Sequence, residues 1–503
     1  MRRVSQNESF APQRLLVIGG GPGGYEAALV AATLGADVTL IERQGLGGSA
    51  VLTDVVPSKT LIASADTMNR FSEAPALGIR TRKGDELVEL EVNMDKVNRR
   101  CCAWPPSSPR TSAAPWRRPG SRSWTAPGSC CPRTPCRSPT RTGSATSWRP
   151  RPCCWRSGPT PGRSPPPAPD GERILNWTQL YRLETIPEHL VVVGSGVTGA
   201  EFASAYRGLG SRVTLVSSRD RVLPGEDEDA AQVLEDVFER RGLQVMPRSR
   251  AEAVERTEDG VVVTLNDGRK VAGSHCLMAV GSIPNTADLG LEAAGVRTTE
   301  SGHIAVDGVS RTTAPNVYAA GDCTGVLPLA SVAAMQGRIA IAHLMGDSVS
   351  PLKSHRVASN IFTSPEIATV GVTEAEIRAG KYQADVVMLK LGTNPRAKMM
   401  AVEDGFVKIF ARKYSGTVIG GVVVGPRASE LIFAVSLAVH NKIHVDSFAD
   451  TFTVYPSLSG SLSRGCPPPA RDARLSRGIR AHTGRAGHPK ECPARPVPRR
   501  RRL

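Results

Sequence analysis

Between Cys101 and Pro169 the chain has no Leu, Ile, Val, Met, Phe or Tyr, and from Arg99 to Pro169 it has no Asp, Glu or Lys. With no branched aliphatic to bury, the stretch as written cannot build a packed core. A disordered linker fits poorly too: five of the six Trp fall here, and disordered segments avoid Trp while favouring Glu, Lys and Gln. Elsewhere no apolar run, Leu431 to Val439 included, approaches the roughly 20 residues of a membrane span. Met1 to Arg14 has no apolar signal-peptide core. A soluble cytoplasmic protein is therefore expected. Nine of the eleven Cys lie in two compositionally odd stretches, leaving only Cys276 and Cys323. That excludes a disulfide framework or a zinc spacing, and no metal site is expected. The formal charge of +16 does not point to a nucleic-acid partner, because Arg99 to Pro169 carries +13 and Leu462 to Leu503 carries +10. The body that remains, at −7, is acidic.

What Cys101 to Pro169 does contain is eight residue types, Cys, Trp, Pro, Arg, Ser, Thr, Ala and Gly, with 17 Pro among them. These are the types whose codons carry G or C at the second position. In a GC-rich gene a shifted frame moves third-position G or C into that place. With Cys as TGC, Cys153-Cys154-Trp155-Arg156 becomes (Val, Leu or Met)-Leu-Leu-Ala in the neighbouring frame, a buried-strand sequence. Cys101-Cys102-Ala103-Trp104 becomes an apolar residue, Leu, Arg, then Leu or Val. Arg99 to Pro169 therefore reads as frame-shifted text, with ordinary composition returning at Asp170. The tail after Leu462, rich in Arg, Ala, Gly and Pro, reads as a shift in the other direction or as a basic disordered tail.

At 503 residues about three domains are expected. Arg14 to Ile18 reads as a short buried strand, followed by Gly19-Gly20-Gly21-Pro22-Gly23-Gly24, a helix from Tyr25 to about Leu34, and a strand Asp37 to Ile41 closed by Glu42. This is the order of a dinucleotide site. Gly19 permits the tight turn, Gly21 lets backbone approach a pyrophosphate at the helix N-terminus, Gly24 allows close packing, and Glu42 can accept two ribose hydroxyls. The order recurs: a strand Leu190 to Val193, then Gly194, Gly196 and Gly199, a helix Ala200 to Leu209, and a strand Val213 to Val216. Two dinucleotides on one chain pair naturally as a flavin with a nicotinamide. The second site ends in Ser217-Ser218-Arg219-Asp220-Arg221 with no acid at the ribose position, so Ser218 and Arg219 can hold a 2′-phosphate and NADPH is favoured or tolerated. Arg219 and Arg221 as ordinary solvated loop charges remain the alternative. Cys276, on an apolar strand ending at Gly281, reads as a small core residue, and Cys323 as packing.

Gly47-Gly48, Pro57-Ser58-Lys59-Thr60, Gly199-Ala200-Glu201-Phe202, Ala319-Ala320-Gly321-Asp322 and Tyr455-Pro456-Ser457-Leu458-Ser459 together resemble the pyridine nucleotide-disulfide oxidoreductases, the group of dihydrolipoamide dehydrogenase and glutathione reductase. The resemblance implies an α/β fold with two Rossmann-like domains, for FAD and NAD(P), and a C-terminal α+β dimerisation domain, assembled as a homodimer. The implied boundaries are 12–98 for the first FAD part, 99–169 anomalous, 170–299 for NAD(P), 300–352 for the FAD return, 353–461 for dimerisation and 462–503 a basic tail. Gly48 and Asp322 are implied as flavin contacts, Asp322 on the ribitol. Lys59 is implied beside the flavin N5 and paired with Glu201, and a helix from Ala330 to about Ala340 points its positive end at the flavin. Gly281 is included with the cofactor positions.

Four departures matter more. Ala50 and Val55 stand where family disulfide reductases have two redox Cys, and Tyr455 and Gly460 stand where they have an acid-base His and Glu. Without sulfur no dithiol can relay electrons. The resemblance is therefore to the branch lacking redox cysteines that is similar to NAD(P)H-quinone reductases, with Tyr455 as an acceptor-site wall or proton donor facing the other subunit's flavin, or as plain packing. A diaphorase or transhydrogenase on the same fold is the enzymatic alternative. A catalytically dead product of a shifted frame is the other, because 99–169 replaces the part where the family has a helix, strands and the Ala-Thr-Gly loop near the flavin.

Overall fold

The computed structural model describes residues 13–79, 90–102, 168–287 and 289–466, together with the backbone of Cys153–Trp155 and Pro159–Pro161. The rest of 99–169 and the tail after 466 lie outside the described residues.

The alternating strand Arg14–Ile18 buries Leu15 and Val17 and pairs in parallel with Asp37–Ile41 on one side. On its other side runs Cys153–Trp155, which pairs in turn with Val317–Ala319. A three-residue piece of the anomalous stretch thus takes an inner position in a four-stranded parallel sheet, a place usually filled by continuous apolar sequence. The helix Met94–Cys102 also runs past residue 98, and Cys101 is buried in the core, where the composition had suggested no core contribution.

The second unit is a five-stranded parallel sheet in the order Ile174–Leu175, His275–Met278, His189–Val193, Arg212–Val216, Gln244–Met246, with a three-stranded antiparallel sheet beside it. The strand His275–Met278 stops short of Gly281, which takes a left-handed conformation outside it. Cys276 is fully buried, and burial pushes its thiol up to about 12, which leaves it an inert packing group. The third unit is a five-stranded antiparallel sheet, Ala358–Ile361, Glu366–Gly371, Val418–Gly425, Phe406–Arg412, Ala384–Lys390, with the helix Ala428–Asn441 packed on it.

One apolar cluster crosses all three units. Leu61 and Ile62 of the helix Val55–Glu73 meet Phe202 and Tyr206 of the helix Val197–Gly208, and Ile361 and Phe410 of the third unit join them. The first two helices cross closely at Gly208, where a Cβ would come within 2.9 Å of Asn69 Oδ1. A second tie is ionic. Lys408, 1% exposed, donates to both Asp227 oxygens at 2.9 Å, to Asp229 at 2.6 Å and to Glu374 at 2.5 Å, joining the second unit to the third. Burial alone would lower the Lys408 ammonium, but its hydrogen bonds to three carboxylates outweigh that and hold it above its ordinary value.

Candidate functional site

The two glycine turns have the same local geometry. Gly19 and Gly194 take φ +98° and +109°, and Gly21 and Gly196 are the extended N-cap residues of their helices. A Cβ on Gly24 would lie 1.8 Å from the Gly19 oxygen, and one on Gly199 would lie 1.8 Å from the Gly194 oxygen, so only glycine fits. Both helices start earlier than the sequence suggested, at Pro22 and Val197 rather than at Tyr25 and Ala200. The reason is that the third glycine lies in the first helical turn, where Pro22 is tolerated because its missing N–H has no partner there. At the end of Asp37–Ile41 the Glu42 carboxylate accepts from the Gly20 N–H at 2.5 Å and the Gln44 N–H at 2.7 Å, which puts acid and glycine turn side by side. Gly47 donates to the Gly20 oxygen and leads into Gly48, so the Gly-Gly pair is fixed against the same turn.

In the second unit, Ser217 rather than Ser218 is the buried serine, bonded to Ser195 Oγ at 2.7 Å. Ser218 and Arg219 are exposed at the strand end. Arg221 is taken up by Glu228 at 2.6 Å, whereas Arg219 has no ion pair among the described residues. The structure therefore separates two arginines that the sequence left equivalent.

Lys59 and Glu201, 142 positions apart, meet at 2.7 Å. Glu201, 4% exposed, turns its other oxygen to the main-chain N–H of Phe362 at 2.9 Å, and the Phe362 ring lies 5.0 Å from Lys59 Nζ. Each unit thus supplies one member of this group. The helix Ala330–Leu344 runs four residues beyond its expected end and packs Gly337 against Gly23. Its Gln336 accepts from the Gly321 N–H at 2.7 Å, which fixes the loop carrying Asp322. Tyr455 lies apart: it is 73% exposed, and no hydrogen bond or ring contact joins it to Lys59 or Glu201 within one chain.

Between Ala50 and Val55, and next to Lys59, stands a residue the sequence reading passed over. Asp54 is half-buried, begins the helix Val55–Glu73, and accepts no capping hydrogen bond from it. Burial, opposed by Lys59 and reinforced by Glu201 and Asp322, pushes its carboxyl up to about 6.

The model for pyridine nucleotide-disulphide oxidoreductases matches residues 13–103 and 145–337, and that for the same group's dimerisation domain matches 357–464. The chain belongs to that family. The family uses FAD and NAD(P)H, and the two turns just described fit two dinucleotides because each leads through an extended glycine, Gly21 or Gly196, into a helix N-terminus, while Gly24 and Gly199 let that helix start tight against its own turn. The match is interrupted over 104–144. A Mycobacterium tuberculosis relative named NAD(P)H dehydrogenase (quinone) is 48% identical over 459 residues, covering 90% of this chain and 92% of its own. Dihydrolipoyl dehydrogenase 2 of Haloarcula marismortui is 31% identical over 473 residues, 93% of this chain and 98% of its own. Among solved structures, LpdA from Mycobacterium tuberculosis superposes with TM-score 0.80 at 45% identity, covering 90% of this chain and 98% of that one. Among the described residues no helix is long and apolar enough to cross a membrane.

Proposed function

We propose that this oxidoreductase passes electrons from NAD(P)H through FAD directly to a quinone-type acceptor, without disulfide reductase activity. The observation that carries this is the pair Ala50 and Val55 beside Lys59, where a relay to a disulfide needs two thiols. The 48% identical relative named as a quinone dehydrogenase supports it. FAD, when bound, accepts hydride from a nicotinamide and returns electrons one or two at a time, which suits a quinone. The chain's own residues hold and tune it. Gly19, Gly21, Gly24 and Glu42 would cradle its adenosine end, with Gly48 and Asp322 nearer the ring. Lys59 would stabilise the negative charge of the reduced ring, and Glu201 would hold that partly buried cation in place. Gly194, Gly196 and Gly199 would take the nicotinamide dinucleotide.

We assign the 2′-phosphate to Arg219, with Ser218 beside it. Arg219→Ala should raise KM for NADPH by about tenfold to a hundredfold, the worth of one charge-assisted hydrogen bond, and leave KM for NADH unchanged. Equal effects on both coenzymes would remove Arg219 from the site. The homodimer is proposed to form through the third unit, which exposes Phe433, Phe452 and Val454, and to bring Tyr455 to the acceptor site of the other subunit. Anaerobic turnover of NADPH with a quinone, compared with a thio-NAD analogue, separates this function from transhydrogenation.

A second reading, a dead chain, is favoured by the composition of 99–169. We propose that this segment is out of frame. The inner strand Cys153–Trp155 lies where the neighbouring frame supplies (Val, Leu or Met)-Leu-Leu. The chain as written should purify with little flavin and the frame-restored chain should be yellow; resequencing the DNA for Asn98 to Asp170 and finding it unaltered, with a fully yellow product, would refute the shift.

A further inference from the structure

We infer that the second unit carries a binding site for a small oxyanion, a carboxylate or phosphate group on a compact molecule, at the end of its sheet opposite the nucleotide turn. Arg212 and Lys270 hold the charge, and the Gln244 amide donates to a remaining oxygen.

The strands of a parallel sheet covered on both faces are ordinarily apolar on both. Leu190, Val192, Val213 and Leu215 obey this on the helix face, where they are buried in the main apolar cluster. On the other face Val191, Val193 and Val216 pack beneath Val261 and Val263 of the three-stranded antiparallel sheet. His189, Arg212, Thr214 and Gln244 share that second face, through the strand alternation and the registers His189↔Arg212, Val191↔Thr214 and Thr214↔Gln244. Polar side chains thus replace apolar ones at the corner where the covering sheet begins its strand Lys270–Gly273. A cavity of about 430 Å³ opens there, between these four residues and Arg269 and Lys270, with Met246 and Val271 adding apolar wall. That volume is in the range of small-molecule sites. His189, Arg212 and Gln244 are the first residues of their strands, whereas Gly194 and Arg219 follow the last, so this cavity is separate from the nucleotide turn.

The floor is ordered by hydrogen bonds that run in one direction. Arg212 Nη2 lies 3.0 Å from His189 Nδ1, and a guanidinium can only donate, so Nδ1 accepts. The imidazole proton is then on Nε2, which donates to Thr214 Oγ1 at 2.9 Å. Thr214 is left to donate to Gln244 Oε1 at 3.4 Å. The amide oxygen is thereby taken, and the Gln244 NH2 is the end that faces a ligand as a donor. His189 and Thr214 are buried, and burial first, with the Arg212 charge second, holds the imidazole below its usual range. It stays neutral and keeps Nδ1 as the acceptor that positions Arg212.

Among the described residues no carboxylate lines the cavity. Arg269 is held by Asp267 at 2.6 Å and by Ser249 Oγ at 2.8 Å, whereas Arg212 and Lys270 have no ion pair among the described residues. Two uncompensated cations and an amide donor around a concave space attract an oxyanion and repel a cation.

Calorimetric titration of the full-length chain tests this, with the frame-restored chain as a parallel sample, since no residue of the site lies in 99–169. NADP+ is kept saturating to fill the nucleotide turn, and citrate and inorganic phosphate are titrated separately at constant ionic strength. At least one should bind at a single site and raise Tm; the stronger of the two says whether carboxylate or phosphate is preferred. Arg212→Gln should weaken binding by about tenfold to a hundredfold, the worth of a charge-assisted hydrogen bond. The near-isosteric Thr214→Val, which touches the ligand only through the ordering of Gln244 and His189, should weaken it by about fivefold. Lys270→Gln, at an exposed position that the fold does not depend on, should also weaken it by about fivefold. Flat titrations with both anions in both chains overturn the site, as does affinity equal to the parent's in both Arg212→Gln and Lys270→Gln.

Discussion

Lys59→Met is expected to lower turnover from NAD(P)H to a quinone by about a hundredfold, the usual loss when one preorganised charge is removed from a developing charge. Two effects are combined in that substitution and can be separated. Lys59 is the ion-pair partner of Glu201, so its removal also leaves a nearly buried carboxylate with only the Phe362 N–H, a cost of about 3 kcal/mol in stability. Adding Glu201→Gln removes the stranded charge and should recover most of the stability but none of the turnover. If both recover together, Lys59 acts only by holding the three units in place. Lys59→Arg keeps the cation and should restore a large part of the rate. Stopped-flow reduction by NADPH, followed by denaturation of the same samples, reads both quantities.

Lys408→Met should produce the largest loss of stability without touching the flavin group. The ammonium joins Asp227 and Asp229, which begin the helix Glu228–Arg240 of the second unit, to Glu374 of the third. Asp229 is half-exposed and will rehydrate, whereas Asp227 is left buried, so the low end of the range for breaking a buried pair applies, about 3 kcal/mol. For units of this size that is roughly 10 °C in Tm. Asp227 also caps its helix, accepting from the Ala230 N–H at 3.2 Å, and Asn can keep that cap. The double variant Lys408→Met/Asp227→Asn should therefore be more stable than Lys408→Met alone. Because the Lys408 value is raised by folding, its contribution is fully present below about pH 10.5 and is lost only as pH climbs through the higher folded value. A Tm within a degree of the parent would mean that the cluster contributes nothing net.

Both nucleotide turns were legible because their chemistry is backbone chemistry. Gly24 and Gly199 have no room for a Cβ, so the glycine pattern itself records the fold. The pairing of Lys59 with Glu201 was legible only through family resemblance, since nothing local joins positions 142 apart. Phe362 and Gln336 were not legible: the first contributes a main-chain N–H that any residue has, and the second is a helix glutamine that in sequence looks solvent-facing although it is buried against the Gly321 N–H. Asp54 was hidden for another reason: its half-buried place at the start of the helix Val55–Glu73 comes from packing that nothing local at position 54 records. Composition read Arg99 to Pro169 as outside any core, while the backbone puts Cys153–Trp155 inside a sheet and buries Cys101. The conflict is between side-chain content and position, and the proposed shift of frame would remove it.

The most direct measurement is NADPH oxidation by the frame-restored, FAD-loaded protein under anaerobic conditions, with a quinone, a thio-NAD analogue, lipoamide and glutathione disulfide offered separately. The account predicts fast turnover with the quinone, slower turnover with the nicotinamide analogue, and none with either disulfide. Turnover with lipoamide or glutathione disulfide at a rate comparable to the quinone would contradict it, because Ala50 and Val55 provide no sulfur through which those electrons could pass.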